Sequence, residues 1–93
     1  DGDSLRLYEK KIQADLLVGE YNQAYEDIER VLNLWPKHEL GYLFLIQYYA
    51  SVKNRAGISQ TLELLERRQI HLSAEGRGTV RFWKDGSVKA DEA

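Results

Sequence analysis

Residues 19–36 read GEYNQAYEDIERVLNLWP, and this stretch decides the fold. Gly19 supplies the left-handed backbone conformation that ends a helix at little cost, so it closes whatever precedes it. Asn22 is the expected cap of a new helix, its side chain accepting a backbone N–H of the first turn. Tyr21, Ala24, Ile28, Val31 and Leu32 then recur at helical spacing and form one apolar stripe. Glu26, Asp27, Glu29 and Arg30 are expected on the other, wet side, where helix ion pairs contribute only ~0.2–0.5 kcal/mol each. Pro36 lacks a donor and disfavours helix at Trp35, so the segment stops there.

Working outward, residues 4–18 give a helix capped by Ser4, with Leu5, Tyr8, Ile12 and Leu16 on one face. Asp15 lies on that face. It reads either as a buried carboxylate in need of a partner or, more simply, as a group at the edge of the face in water. Residues 39–52 are the most apolar part of the chain, with Leu40, Tyr42, Leu43, Phe44, Leu45, Ile46, Tyr48, Tyr49 and Ala50. Aromatics favour strands, but a run of 14 residues argues for a helix, and one apolar nearly all round must be central. Lys53, Asn54 and Arg55 make a polar turn. Residues 56–69 follow as a fourth helix on Ile58, Leu62 and Leu65, with Leu64 at its flank and Arg67 and Arg68 favourably placed in its last turn.

The tail has two readings. A helix starting at Ser73 turns Thr79, Val80 and Trp83 inward, although Gly76 and Gly78 each weaken it by ~1 kcal/mol relative to Ala. The alternative is a hairpin with Thr79–Trp83 as a strand and Asp85-Gly86 as the turn. The helix, over 73–86, is preferred, with 87–93 as a frayed end.

The first two helices pair as a hairpin, and so do the next two. Tyr8 and Tyr42 are 34 residues apart, as are Ile12 and Ile46, Ala24 and Ile58, Ile28 and Leu62, and Val31 and Leu65. Five apolar pairs at one offset define an internal repeat, 5–36 and 39–70, with the period of the tetratricopeptide unit. Gly19, Tyr21, Ala24 and Pro36 also resemble that family residue by residue: a Gly closing the first helix, an aromatic two positions on, a small residue for close helix approach, and a Pro ending the second helix. The chain departs from the family at Tyr8, Lys11, Ile12 and Asp15, where Trp, Leu, Gly and Tyr are usual. In the second repeat Lys53, Arg55, Ile58 and Ile70 stand at the four positions. The resemblance implies an all-α fold of antiparallel helical hairpins stacked as a short right-handed superhelix, one domain over 1–93, with 73–86 as a capping helix.

The totals agree with a small binding domain. A chain of 93 residues hides roughly 60–65% of its unfolded surface, leaving a modest core. Net charge is −2 and the basic clusters are the pairs Lys10-Lys11 and Arg67-Arg68, which argues against nucleic acid or an anionic membrane as partner. No apolar run is long enough for a membrane span. Cys is absent, the two histidines (His38 and His71) are 33 residues apart, and no metal site or cofactor is expected. No serine lies in a nucleophile elbow, and Gly76-Arg77-Gly78 is too short for a phosphate loop, so no catalytic residues are assigned and no enzyme is expected. Of the rings of Tyr8, Tyr21, Tyr25, Tyr42, Tyr48, Tyr49, Trp35 and Trp83, one or two are expected at the surface as interface anchors.

In the family the first helix of each pair lines a concave groove that accepts an extended peptide or a helix. The resemblance places Arg6, Glu9, Gln13, Leu43, Gln47 and Arg77 on that side, and Leu43 reads equally well as core. The Lys and Asn clamp of the chaperone-binding branch is replaced by Glu9 and Gln13. The expectation is a protein-interaction module, part of a larger protein, with another protein's peptide or helix as partner, self-association as an open outcome, and the cytoplasm as the favoured compartment. The competing readings are a regulatory or oligomerisation domain of a bacterial transcription regulator or secretion component, an RNA-binding helical repeat, and an accessory domain of an enzyme.

Overall fold

The computed structural model describes the backbone of residues 2–92 and the side chains of 4–85. The chain is all-α: five helices in order, α1 (Gly2–Val18), α2 (Tyr21–Leu34), α3 (Glu39–Ser51), α4 (Arg55–Arg67) and α5 (Ala74–Glu92), with no strand among the described residues.

Three of the helix ends share one closure. Gly19 has φ +82°, and the N–H of Glu20 reaches back five residues to the Asp15 carbonyl at 2.8 Å. Lys53 (φ 58°) and Gln69 (φ 54°) do the same at the ends of α3 and α4, with Asn54 N bonded to Tyr49 O at 2.8 Å and Ile70 N to Leu65 O at 3.1 Å. These bonds satisfy carbonyls that the helix ends would otherwise leave unpaired. Lys53 therefore holds the backbone conformation of Gly19 one 34-residue step later, although its side chain disfavours it.

Helix starts differ from the sequence reading in two places. α1 begins at Gly2, so Ser4 lies inside it and is not its cap. α2 begins at Tyr21 with Glu20 at the cap position and no side-chain cap bond, because the turn at Gly19 feeds the chain straight into the helix. Asn22 is thus already helical. The other starts are capped. The His38 side chain accepts from Leu40 N, Asn54 Oδ1 accepts from Gly57 N at 2.9 Å, and Ser73 Oγ accepts from Gly76 N at 3.1 Å.

The tail is the helix and not the hairpin. Its backbone stays helical to Glu92, beyond Ser87 where a frayed end was expected, since no Pro or left-handed residue interrupts it. Ser73 holds its start in place: its N–H and hydroxyl both donate to Glu39 Oε1, at 3.0 and 3.2 Å. A Cβ on Gly76 would meet the Glu39 carboxylate, which would have to shift and give up its place against Ser73, whereas one on Gly78 would meet open space.

The hairpins are antiparallel. Tyr8 near the start of α1 meets Trp35 at the end of α2, their ring centroids 6.0 Å apart. In the second pair, Tyr42 near the start of α3 accepts from Arg68 Nη1 at 2.8 Å, just past the end of α4, and donates to Pro36 O at 2.7 Å. The core forms two clusters. Ile12, Ile28, Val31, Phe44 and Leu45 join α1, α2 and α3, and Tyr42, Ile46, Ile58, Leu62, Leu65 and Ile70 join α3 to α4. α3 contributes to both and packs against each of the other four helices. Its all-round apolar sequence follows from that position.

The close approach between α3 and α4 occurs at Gly57, one residue before the position that the repeat assigns to a small side chain. A Cβ on Gly57 would lie 2.5 Å from the Tyr49 ring. The aromatic rings are more deeply used than expected. All eight of the Tyr and Trp side chains are buried or half-buried, and Tyr25, Tyr48 and Tyr49 stack in series with centroids 5.0 and 5.3 Å apart. The aromatic that faces water is Phe82, at 66% exposure.

Candidate partner-binding groove

Helix contacts alternate along the stack. α1 approaches α3 and α3 approaches α5, whereas among the described residues the backbones of α2 and α4 nowhere come within 8 Å Cα to Cα. The odd-numbered helices therefore converge on one side and the even-numbered ones splay on the other. α1 and α3 run in the same direction. Leu5, Arg6 and Glu9 lie beside His38 and Leu40 at one end of the seam, and Gln13, Leu16 and Leu17 beside Gln47 and Ser51 at the other.

The six residues assigned to the groove divide as follows. Gln13 and Gln47 face each other across a shallow depression of about 260 Å³ that also includes Leu16, Leu17 and Ser51. Arg6 and Glu9 share the second depression, at the start of the two helices. Leu43 is half-buried and lies beneath α5, where a Cβ on Gly76 would sit 3.5 Å from its Cδ1. Arg77 stands apart on α5, donating to the Leu72 carbonyl at 3.1 Å. The seam thus unites four of the six, in two pairs.

Leu17 was not among the residues expected here, and it is the most exposed large apolar side chain among the described residues, at 87%. Leu16, Leu17 and Val18 are consecutive, and a helix turns ~100° per residue, so one buried face cannot hold all three. That arithmetic was available in the sequence. The groove floor therefore combines an exposed leucine with two amides that have no hydrogen bond to any described residue. Such a surface offers an apolar contact and donor–acceptor pairs free to pair with a peptide backbone.

Asp27, expected on the wet face, is instead 1% exposed between α1 and α2. Lys11 Nζ donates to its Oδ2 at 2.6 Å and to Asp15 Oδ2 at 3.3 Å, and Gln23 Nε2 reaches Asp27 Oδ2 at 3.5 Å. Arg30 Nη1 stands 3.8 Å from Asp27 Oδ1, which has no hydrogen-bond partner. Burial by itself pushes the Asp27 carboxyl up, but the hydrogen bonds from Lys11 and Gln23 outweigh it and hold the carboxyl below its ordinary value. The bond to Asp27 likewise raises Lys11. Asp15 is half-buried, with its side chain 16% exposed and paired with Lys11, which is closer to the paired-carboxylate reading than to a group in water. A lysine held protonated in this way is a poor nucleophile or base, so the cluster joins two helices and offers no reactive group.

His38 is engaged in capping α3, and no group of His, Asp or Glu among the described residues has the arrangement of a metal site. Among the described residues no helix is long and apolar enough to cross a membrane. Comparison with protein-family models, with curated proteins and with solved structures finds no match to this chain.

Proposed function

We propose that the chain is a tetratricopeptide-type module that holds a segment of another protein along the seam between α1 and α3, in a short right-handed stack of helical hairpins. The observation that carries this reading is the alternation of contacts, with the odd helices in touch and α2 apart from α4, which gives the first helix of each pair to one continuous surface. The repeat adds to it. Gly19 and Lys53 share a left-handed turn 34 residues apart, and Glu39 and Ser73, also 34 apart, join the starts of α3 and α5. The exposed Leu17 between Gln13 and Gln47 supplies the contact chemistry that an extended segment needs. The module acts by binding, and no catalytic step is assigned to it.

The test is a peptide library displayed on phage and selected on the purified chain. Enriched peptides are then measured against the Leu17→Glu, Gln47→Glu double variant. Both positions are exposed, so helicity by circular dichroism stays unchanged. Binding is expected to weaken by at least about tenfold, the equivalent of ~1.4 kcal/mol. Peptides that hold the double variant as tightly as the wild type would remove the seam from consideration.

A further inference from the structure

We infer that a notch lined by α5 and the loop before it is a docking site for an acidic peptide segment bearing an apolar side chain. It is a second surface and shares no lining residue with the α1–α3 seam. Leu72 and Val80, both half-buried, lie in it, and Arg77, Arg81, Lys84 and Asp85 complete it.

The charge of this region departs from that of the chain. Residues 67–85 hold Arg67, Arg68, Arg77, Arg81 and Lys84 against the two acids Glu75 and Asp85, so they carry +3 in a protein whose total is −2. Two of these cations are compensated, Arg67 by Glu63 and Lys84 by Glu66. The other three have no carboxylate among the described residues. Arg68 donates to the Tyr42 hydroxyl, Arg77 to the Leu72 carbonyl, and Arg81 has no hydrogen-bond or ion-pair partner among the described residues. Guanidinium groups are planar and present paired donors that match a carboxylate. Arg77 and Arg81 are four residues apart on a helix, so they share a face and flank Val80. A ligand that places carboxylates on the two arginines and an apolar group on Leu72 and Val80 engages both guanidinium groups and both apolar side chains of the notch, away from Asp85.

A peptide fits these features better than a nucleic acid. Nucleic-acid affinity grows with the number of phosphates neutralised, and here the cations occupy one notch with Asp85 at its edge. Residues 1–66 carry −4 and would repel a long polyanion. A short acidic segment escapes that repulsion, because charges more than ~8 Å away are screened at physiological salt.

The experiment uses the full chain and a fluorescein-labelled peptide of alternating Glu and Leu, with a Gln and Leu peptide as its uncharged counterpart. The acidic peptide is expected to bind saturably, more weakly as salt rises, and at least about fivefold more tightly than the Gln peptide. Arg77→Glu with Arg81→Glu should weaken it by about tenfold or more. Lys10→Glu with Arg55→Glu makes the same change in net charge at exposed positions on α1 and α4 and should alter binding by less than about twofold. The Leu17→Glu, Gln47→Glu variant should bind the acidic peptide normally, which separates failure of this site from failure of the seam. Equal affinity for the two peptides, or an equal loss in the Lys10/Arg55 variant, overturns the inference. So does displacement of the peptide by polyuridylate at matched charge, which would make the notch a polyanion site.

Discussion

Replacing Gly57 by Ala sets two effects of known size against each other. Ala is the better helix former by up to ~1 kcal/mol, and Gly57 lies in the first turn of α4 with ordinary backbone angles, so propensity alone predicts stabilisation. The new Cβ, however, would stand 2.5 Å from Cγ and Cδ1 of Tyr49 and 2.7 Å from Cε1, against ~3.5–4.0 Å for a comfortable carbon contact. The ring cannot simply swing aside. It is half-buried, packs on Tyr48 and belongs to the packing around both core clusters. Helix α4 would have to move out by about 1 Å, and overpacking of this kind costs ~1–3 kcal/mol. The expected net is a loss of about 1–2 kcal/mol, read by urea unfolding, with a fall in Tm of about 4–8 °C for each kcal/mol. Gly78→Ala is the matched control, since nothing lies within 4 Å of its Cβ, and it should gain up to ~1 kcal/mol. In a Tyr49→Ala background the Gly57 substitution should turn neutral or favourable. If Gly57→Ala stabilises the wild-type chain as Gly78→Ala does, α4 is not seated on Tyr49 and the packing described for the second hairpin is wrong.

Lys53→Gly should stabilise by about 0.5–1 kcal/mol, because it relieves a left-handed side chain without touching a contact, and denaturant titration reads the change. Tyr42→Phe should cost about 1–2 kcal/mol by the same titration, since the Pro36 carbonyl and the Arg68 guanidinium both lose a buried partner. Asp27→Ala should cost about 1–2 kcal/mol, the pair being open to water on its Lys11 side. Asp27 also governs acid stability. Its folded carboxyl titrates below its ordinary 3.8, so its contribution is present above that value and is lost as pH falls through the lowered one. Lys11 is raised above 10.5, so its contribution is full below that pH and disappears as pH climbs past it. Thermal melts from pH 2 to 6 should therefore show a steeper acid loss for wild type than for Asp27→Ala; parallel curves would discount the pair.

Apolar spacing carried most of the fold because each buried stripe lies within one helix. Ala24, Ile28 and Val31 needed only the 3.6-residue period, and Gly19 and Pro36 marked breaks that backbone geometry imposes anywhere. Asp27 was misread although it is three residues after Ala24 and four before Val31, squarely on the stripe. Its charge assigned it to water, and the partner that permits burial, Lys11, is 16 residues away on another helix. Ser4 and Asn22 failed as caps for a related reason. Cap preference is a local propensity, whereas the start of α2 is set by the turn at Gly19. Along the seam, Gln13 and Gln47 had been placed on one side by the family resemblance, while Leu17, outside the apolar face of Leu5, Tyr8, Ile12 and Leu16, was given no place.

The position of α3 decides the order in which the molecule comes apart. Glu39–Ser51 touches every other helix, while α5 is secured at its start by the Glu39 carboxylate and along its length by Val80 and Trp83. Amides of α5 should exchange with solvent through a small opening that leaves the two hairpins intact, whereas those of α3 should exchange only when the whole chain unfolds. The protein can thus release its last helix, and the notch on it, without losing the seam.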